Sequence, residues 1–238
     1  MSSLPHKTLV YIISAPSGSG KSTLVNELLK SVSGLEFSIS YTTRPPRGSE
    51  ANGRQYYFVS RAEFEKMICK NQFLEHAEVF GNYYGTARRF LEEAERNGRD
   101  LLLDIDVQGS AQIQKKIPEA ISIFILPPNR KTLEERLRKR GEDREDVIQR
   151  RLISAAEEIE NYERYNYILV NDRLEDSIEI LQSIVRSERW LRSSDVLSTD
   201  QQAIIAAADC CRLTKVGKRL QPILASFKRA PVESGRPS

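Results

Sequence analysis

The sequence predicts an α/β fold: a parallel sheet flanked by helices, with a small mixed or antiparallel insert. Three observations carry that expectation. Short apolar runs alternate with helical patterns along most of the chain, as expected for a parallel sheet with crossover helices. The first apolar run ends in a glycine-rich turn that opens a helix. One stretch, 37–80, breaks the alternation with short strands bounded by Pro and Gly.

Taken in order, Thr8 to Ser14 is continuously apolar and rich in β-branched residues, the pattern of a buried parallel strand. Gly20 to Val32 places Leu24, Val25, Leu28, Leu29 and Val32 at helical spacing. Leu101 to Asp106, Ala120 to Leu126 and Tyr167 to Asn171 read as further buried strands. Helical patterns cover Val107 to Lys116, Arg130 to Arg140, Arg144 to Tyr162 and Leu174 to Leu191. After about Arg192 the pattern fades into polar residues, with one apolar helix candidate around Gln202 to Cys211.

With 238 residues, 39% of them hydrophobic and 29% charged, the chain can build one full α/β domain and is too apolar for a disordered polyelectrolyte. No apolar run approaches the ~20 residues of a membrane-spanning helix. Three cysteines cannot form a disulfide framework, so a reduced, cytoplasmic setting is expected. The net charge of +3 is uneven: Arg212 to Arg236 holds seven basic residues against Glu233 alone. That segment is +6 and the remainder −3, so the charge gives no reason for the main body to bind nucleic acid.

The chemistry concentrates in Ala15-Pro16-Ser17-Gly18-Ser19-Gly20-Lys21-Ser22. Glycines let successive N–H groups converge on an anion, and the following helix N-terminus adds partial positive charge. Lys21 would reach the β- and γ-phosphates of a nucleotide, and the Ser22 hydroxyl would join a Mg²⁺ shell. Ala15 stands where the generic pattern has its first glycine. Such a loop alone fits a GTPase, an ATPase motor or a small-molecule kinase. Arg44 and Arg47, in a stiff Pro-rich turn near Tyr56 and Tyr84, would suit a second phosphate, although a solvated basic turn has the same composition.

Six motifs, in order and at matching spacing from about Thr8 to Leu191, resemble the guanylate kinase family in its bacterial form. They are Ser14 to Thr23, Ser38 to Arg47, Asn52 to Phe58, Glu75 to Thr86, Leu103 to Gly109 and Val170 to Asp172. The resemblance implies a P-loop NTPase-like core and transfer of the ATP γ-phosphoryl to GMP, giving ADP and GDP. Matched to the family's motifs, Ala15 to Ser22 and Asn171 would contact ATP. Arg44, Arg47, Tyr56 and Tyr84 would hold the GMP phosphate, and Ser40, Glu75, Thr86 and Asp106 would read guanine. Guanine's N1–H and N2 donors suit two carboxylates, and adenine lacks both donors. Lys21 with the lid arginines Arg136, Arg140 and Arg151 would form the catalytic set, and Ser22 and, through water, Asp104 would hold Mg²⁺. Regular strand alternation would put Asp104 and Asp106 on one face. Arg173 departs from the commonest Asn-Asp-Asp ending.

The expected division is a kinase domain over 1–192 and a basic, partly disordered extension over 193–238. The domain comprises a core (8–36, 87–129, 152–192), a GMP-binding insert (37–86) and a lid (130–151). A chain ending near Arg192 is expected to keep its activity. ATP and GMP, with dGMP beside it, are the expected substrates, with no obligatory nucleic acid or membrane partner and the oligomeric state open. A phosphopeptide-binding scaffold and a kinase for another small molecule are the rival readings. Intact Lys21 and Ser22 speak against the first, and Glu75 with Asp106 against the second.

Overall fold

The computed structural model describes residues 7–79, 81–139, 144–193 and 196–228. Its main sheet has five parallel strands in the order β2 (Leu35–Ser38), β7 (Asp100–Asp104), β1 (Val10–Ser14), β8 (Ile121–Leu126) and β9 (Tyr167–Val170). Helices α1 (Lys21–Ser31) and α7 (Leu174–Trp190) cover one face, and α3 (Arg89–Arg96) and α4 (Val107–Lys116) the other. The continuous apolar runs follow from this burial on both sides: Tyr11 and Ile13 enter the first core, Val10 and Ile12 the second. Each such fully buried aliphatic side chain contributes roughly 1.5–3 kcal/mol.

The insert is a four-stranded sheet in the order β4 (Tyr57–Phe58), β3 (Tyr41–Thr42), β6 (Asn82–Ala87) and β5 (Phe73–Val79). It is mixed, because β3 and β4 run parallel while β3–β6 and β5–β6 are antiparallel. Helix α2 (Arg61–Cys69) begins with a capping box between Ser60 and Glu63 and packs Phe64 on Phe73, ring centroids 4.4 Å apart. The first core edge strand, β2, reaches into the range expected of the insert.

Two helices follow β8: α5 (Arg130–Lys139) and α6 (Glu145–Ile159), which lines the cleft and runs beyond the expected lid boundary at 151. The strand expected over Leu101 to Asp106 stops at Asp104. Asp106 instead caps α4, its Oδ1 accepting from the Gly109 N–H at 2.8 Å, so the two aspartates do not share a regular strand face.

Most of the extension's described part, 199–227, is helical, and the helix expected around Gln202 to Cys211 lies within it. This stretch forms α8 (Thr199–Asp209), opened by a capping box of Ser198 and Gln201, and α9 (Leu213–Phe227). Each carries an apolar face: Val216, Leu220 and Phe227 share a buried cluster with residues of α5, α6, β8 and β9, and Ala208 joins the core cluster that includes α7. Part of the basic charge is paired, Arg212 with Glu188 and Asp209, Lys215 with Asp209.

Candidate active site

β1 delivers the chain into the glycine-rich loop at the C-terminal edge of the main sheet. Ser19 N–H donates to Pro16 C=O at 3.1 Å, closing the turn. Gly18 and Gly20 have φ of 92° and 89°, a left-handed region that costs other residues. Helix α1 then starts without a side-chain cap, which leaves its first N–H groups for an anion. Beneath the loop, Asn171 Nδ2 donates to Ser19 C=O at 2.7 Å. A Cβ on Gly20 would lie 2.3 Å from that nitrogen.

The loop opens on a cleft of about 510 Å³. Ala15 to Gly18, Gly20, Lys21, Ser22 and Asp104 line one part of it, and Ser40, Arg47, Tyr56, Glu75, Tyr84 and Asp106 another. Arg151 enters from α6. These side chains come from the core, the insert and the lid helices, so the tertiary fold gathers most of the residues singled out from sequence.

Lys21 pairs with Asp104. Burial works against the lysine's charge, and the Asp104 carboxylate more than restores it, so its pKa is raised overall. The pair sets an ammonium and a carboxylate beside the Ser22 hydroxyl. Hydroxyl and carboxylate oxygens are the hard donors that Mg²⁺ prefers.

In the insert, Glu75 lies opposite Thr86 in the β5–β6 register, and the Thr86 hydroxyl donates to Glu75 Oε1 at 2.6 Å. Burial pushes the Glu75 carboxyl up to about 7; the Thr86 hydrogen bond opposes the rise and Asp106 adds to it. Arg44 is 7% exposed and makes two parallel bonds to Glu50, at 2.9 and 3.0 Å. Glu50 also accepts from the Arg47 N–H at 2.8 Å, so one carboxylate ties the basic turn together. The Arg44 guanidinium stands over the Tyr56 ring, 5.3 Å from its centroid.

Several expected residues stand behind the cleft rather than on its surface. Ser19, Thr86 and Asn171 are buried, and Arg44 lies behind Tyr56. Asn171 supports the phosphate loop through its bond to Ser19 C=O. Arg136 Nη2 donates to Asn171 C=O at 3.0 Å, while its Nη1 is buried without a partner. Arg140 lies outside the described residues.

Sequence reasoning missed Glu158. It lines the cleft with Val147, Arg150, Arg151 and Ser154, and burial pushes its carboxyl up to about 7 against the pull of Lys21. The signal was present, because Val147, Arg151, Ser154 and Glu158 recur at helical spacing on one face of α6.

Comparison with known proteins adds an independent finding. The family model described as guanylate kinase matches residues 7–188. The chain is 57% identical over 224 residues to a guanylate kinase of Koribacter versatilis, covering 93% of this chain and 96% of that protein. It is 50% identical over 182 residues to a guanylate kinase of Escherichia coli K12, covering 76% and 88%. Among solved structures it resembles the crystal structure of guanylate kinase from Anaplasma phagocytophilum, with TM-score 0.64, 32% identity and coverage of 92% and 96%.

Proposed function

The chain belongs to the guanylate kinase family, which phosphorylates GMP with ATP, and we propose that it carries out this transfer in the cleft between the 15–22 loop and the 37–86 insert. One observation supports this assignment most. The 15–22 loop and the buried Glu75 carboxylate, with Asp106, line the same cavity.

In this reading ATP lies along the loop and GMP in the insert. Glu75 and Asp106 accept from guanine N1–H and the N2 amino group, with Ser40 completing the ring's contacts and Thr86 behind them holding Glu75. Arg47, Arg44, Tyr56 and Tyr84 hold the GMP phosphate. An oxygen of that phosphate attacks the γ-phosphorus, the bond from Pγ to the β-bridging oxygen breaks, and the electron pair leaves with ADP. The nucleophile is already anionic at neutral pH, so the protein's work is alignment and charge neutralisation. Lys21 neutralises the β- and γ-oxygens, and Arg151, with Arg136 and Arg140, meets the charge of the moving group. Ser22 and, through water, Asp104 would hold Mg²⁺, which when bound would neutralise phosphate oxygens of ATP.

The proposal keeps residues 37–86 as the GMP-binding insert and extends the lid from 130 through α6. It includes dGMP as a substrate and a cytoplasmic setting. Among the described residues no helix is long and apolar enough to cross a membrane.

The test is ADP formation with GMP, AMP, CMP and UMP supplied in turn. GMP should be preferred over AMP by about 10⁴-fold in kcat/KM, because AMP leaves the buried acceptors without donors. Equal use of AMP would overturn the guanine site.

A further inference from the structure

The ATP half of this cleft leans on a helix that lies beyond residue 188, where the family match ends. The chain before α9 is anchored at the edge of β9. Ile168 N–H donates to Cys211 C=O at 2.8 Å, and Leu213 N–H to Asn166 C=O at 3.0 Å. Arg212, between them, stands over the Tyr167 ring and pairs with Glu188.

From that anchor α9 reaches the start of α5. The first turn of α5 takes one cap from its own chain, Asn129 Oδ1 accepting from Thr132 N–H at 2.8 Å. A second comes from α9: Ser226 Oγ accepts from Arg130 N–H at 3.1 Å while its hydroxyl donates to Ile223 C=O at 2.6 Å. Phe227 and Leu220 share an apolar cluster with Leu133 and Leu137 of α5.

Leu133 and Leu137 also close over the phosphate loop. A Cβ on Gly18 would lie 2.9 Å from Leu133 Cδ1 and 3.0 Å from Leu137 Cδ2. A second link runs from Arg136 of α5 to Asn171 C=O and from Asn171 Nδ2 to Ser19 C=O. Helix α5 therefore meets the loop directly at Gly18 and indirectly through Asn171, and is itself capped and wedged by α9.

We propose that α9 is a positioning element of the ATP site, holding α5 and through it the 15–22 loop. The inference rests on the reading of that loop as the ATP site. It reverses the expectation that residues beyond 192 are dispensable.

Steady-state kinetics of the full chain test it. Ser226→Ala should raise KM for ATP about fivefold, the factor a lost helix cap is worth. Phe227→Ala, which removes the buried ring packed with Leu133 and Leu137, should raise it by at least as much, with KM for GMP unchanged in both. Ser226→Thr keeps the hydroxyl and should restore KM for ATP. Ala208→Gly in α8 removes a buried methyl that packs on α7, remote from α5, so it should lower Tm and leave both KM values alone. An unmoved KM for ATP in both α9 variants, or equal rises for ATP and GMP, would overturn the proposal. Failure of the underlying reading looks different, because Lys21→Ala would then keep its turnover whatever the α9 variants do.

Discussion

Replacing Glu75 with glutamine probes the guanine end through charge. Glu75 is 3% exposed, and its carboxyl titrates at about 7 in the folded protein against 4.5 ordinarily. Burial is the main cause; Asp106 reinforces it, while the Thr86 hydrogen bonds and Lys116 oppose it. The native state therefore holds a proton that the unfolded chain has already lost between those two values. Stability falls as pH rises through that window, by about 3 kcal/mol between pH 4.5 and 8. Glu75→Gln has no charge to bury and escapes this loss. Relative to the parent protein, its Tm should gain about 6–12 °C over the same pH range, at roughly 2–4 °C per kcal/mol for a chain of this size. Glu158, which also titrates at about 7, is present in both proteins and largely cancels in the difference. Thermal unfolding at half-unit steps of pH, with and without saturating GMP, measures the effect. GMP donates to the ionised carboxylate, so it should stabilise the parent more at pH 8 than at pH 5. The same substitution should lower kcat/KM for GMP about 10- to 100-fold, the loss of one charge-assisted hydrogen bond, with KM for ATP unchanged. A Tm difference independent of pH refutes the burial argument, and unchanged GMP kinetics refute the guanine assignment.

Two further substitutions address the phosphate contacts. Lys21→Ala should lower kcat by at least about 10²-fold, the scale of one lost transition-state donor, with a fold still intact by circular dichroism; a near-normal kcat would sink the phosphate-loop assignment. Glu50→Gln breaks the paired bonds to Arg44 and loosens the Arg47 turn, so KM for GMP should rise about tenfold with ATP unaffected. A fall in KM for GMP would instead show that Glu50 competes with the nucleotide phosphate for Arg44.

The core was legible because β1, β7 and β8 are buried on both faces, so each carries an apolar run, over 10–13, 101–103 and 123–126. Edge strand β2 was harder to see, since Leu35, Glu36 and Phe37 are only half-buried and carry no such run. Helix α9 escaped because Lys215, Lys218, Arg219 and Pro222 lie between its apolar residues and obscure the helical spacing of Val216, Leu220 and Phe227. The expected face-sharing of Asp104 and Asp106 failed for a local reason. Asp106 is an effective N-cap, and capping α4 ended the strand two residues early.

By itself the sequence determined the phosphate loop, the basic turn, the carboxylates at Glu75 and Asp106, and the parallel sheet that carries them. Those features are local or periodic: they depend on residue type at fixed spacing along one chain segment. Only the tertiary structure decided which of these residues face the cleft and which stand behind it. It tied Asn171 to the loop and Arg136 to Asn171, paired Lys21 with Asp104, clamped Arg44 with Glu50, and brought in Glu158 and Ser226. Burial and partner choice are properties of segments far apart in sequence, and no spacing rule within one segment encodes where another will pack.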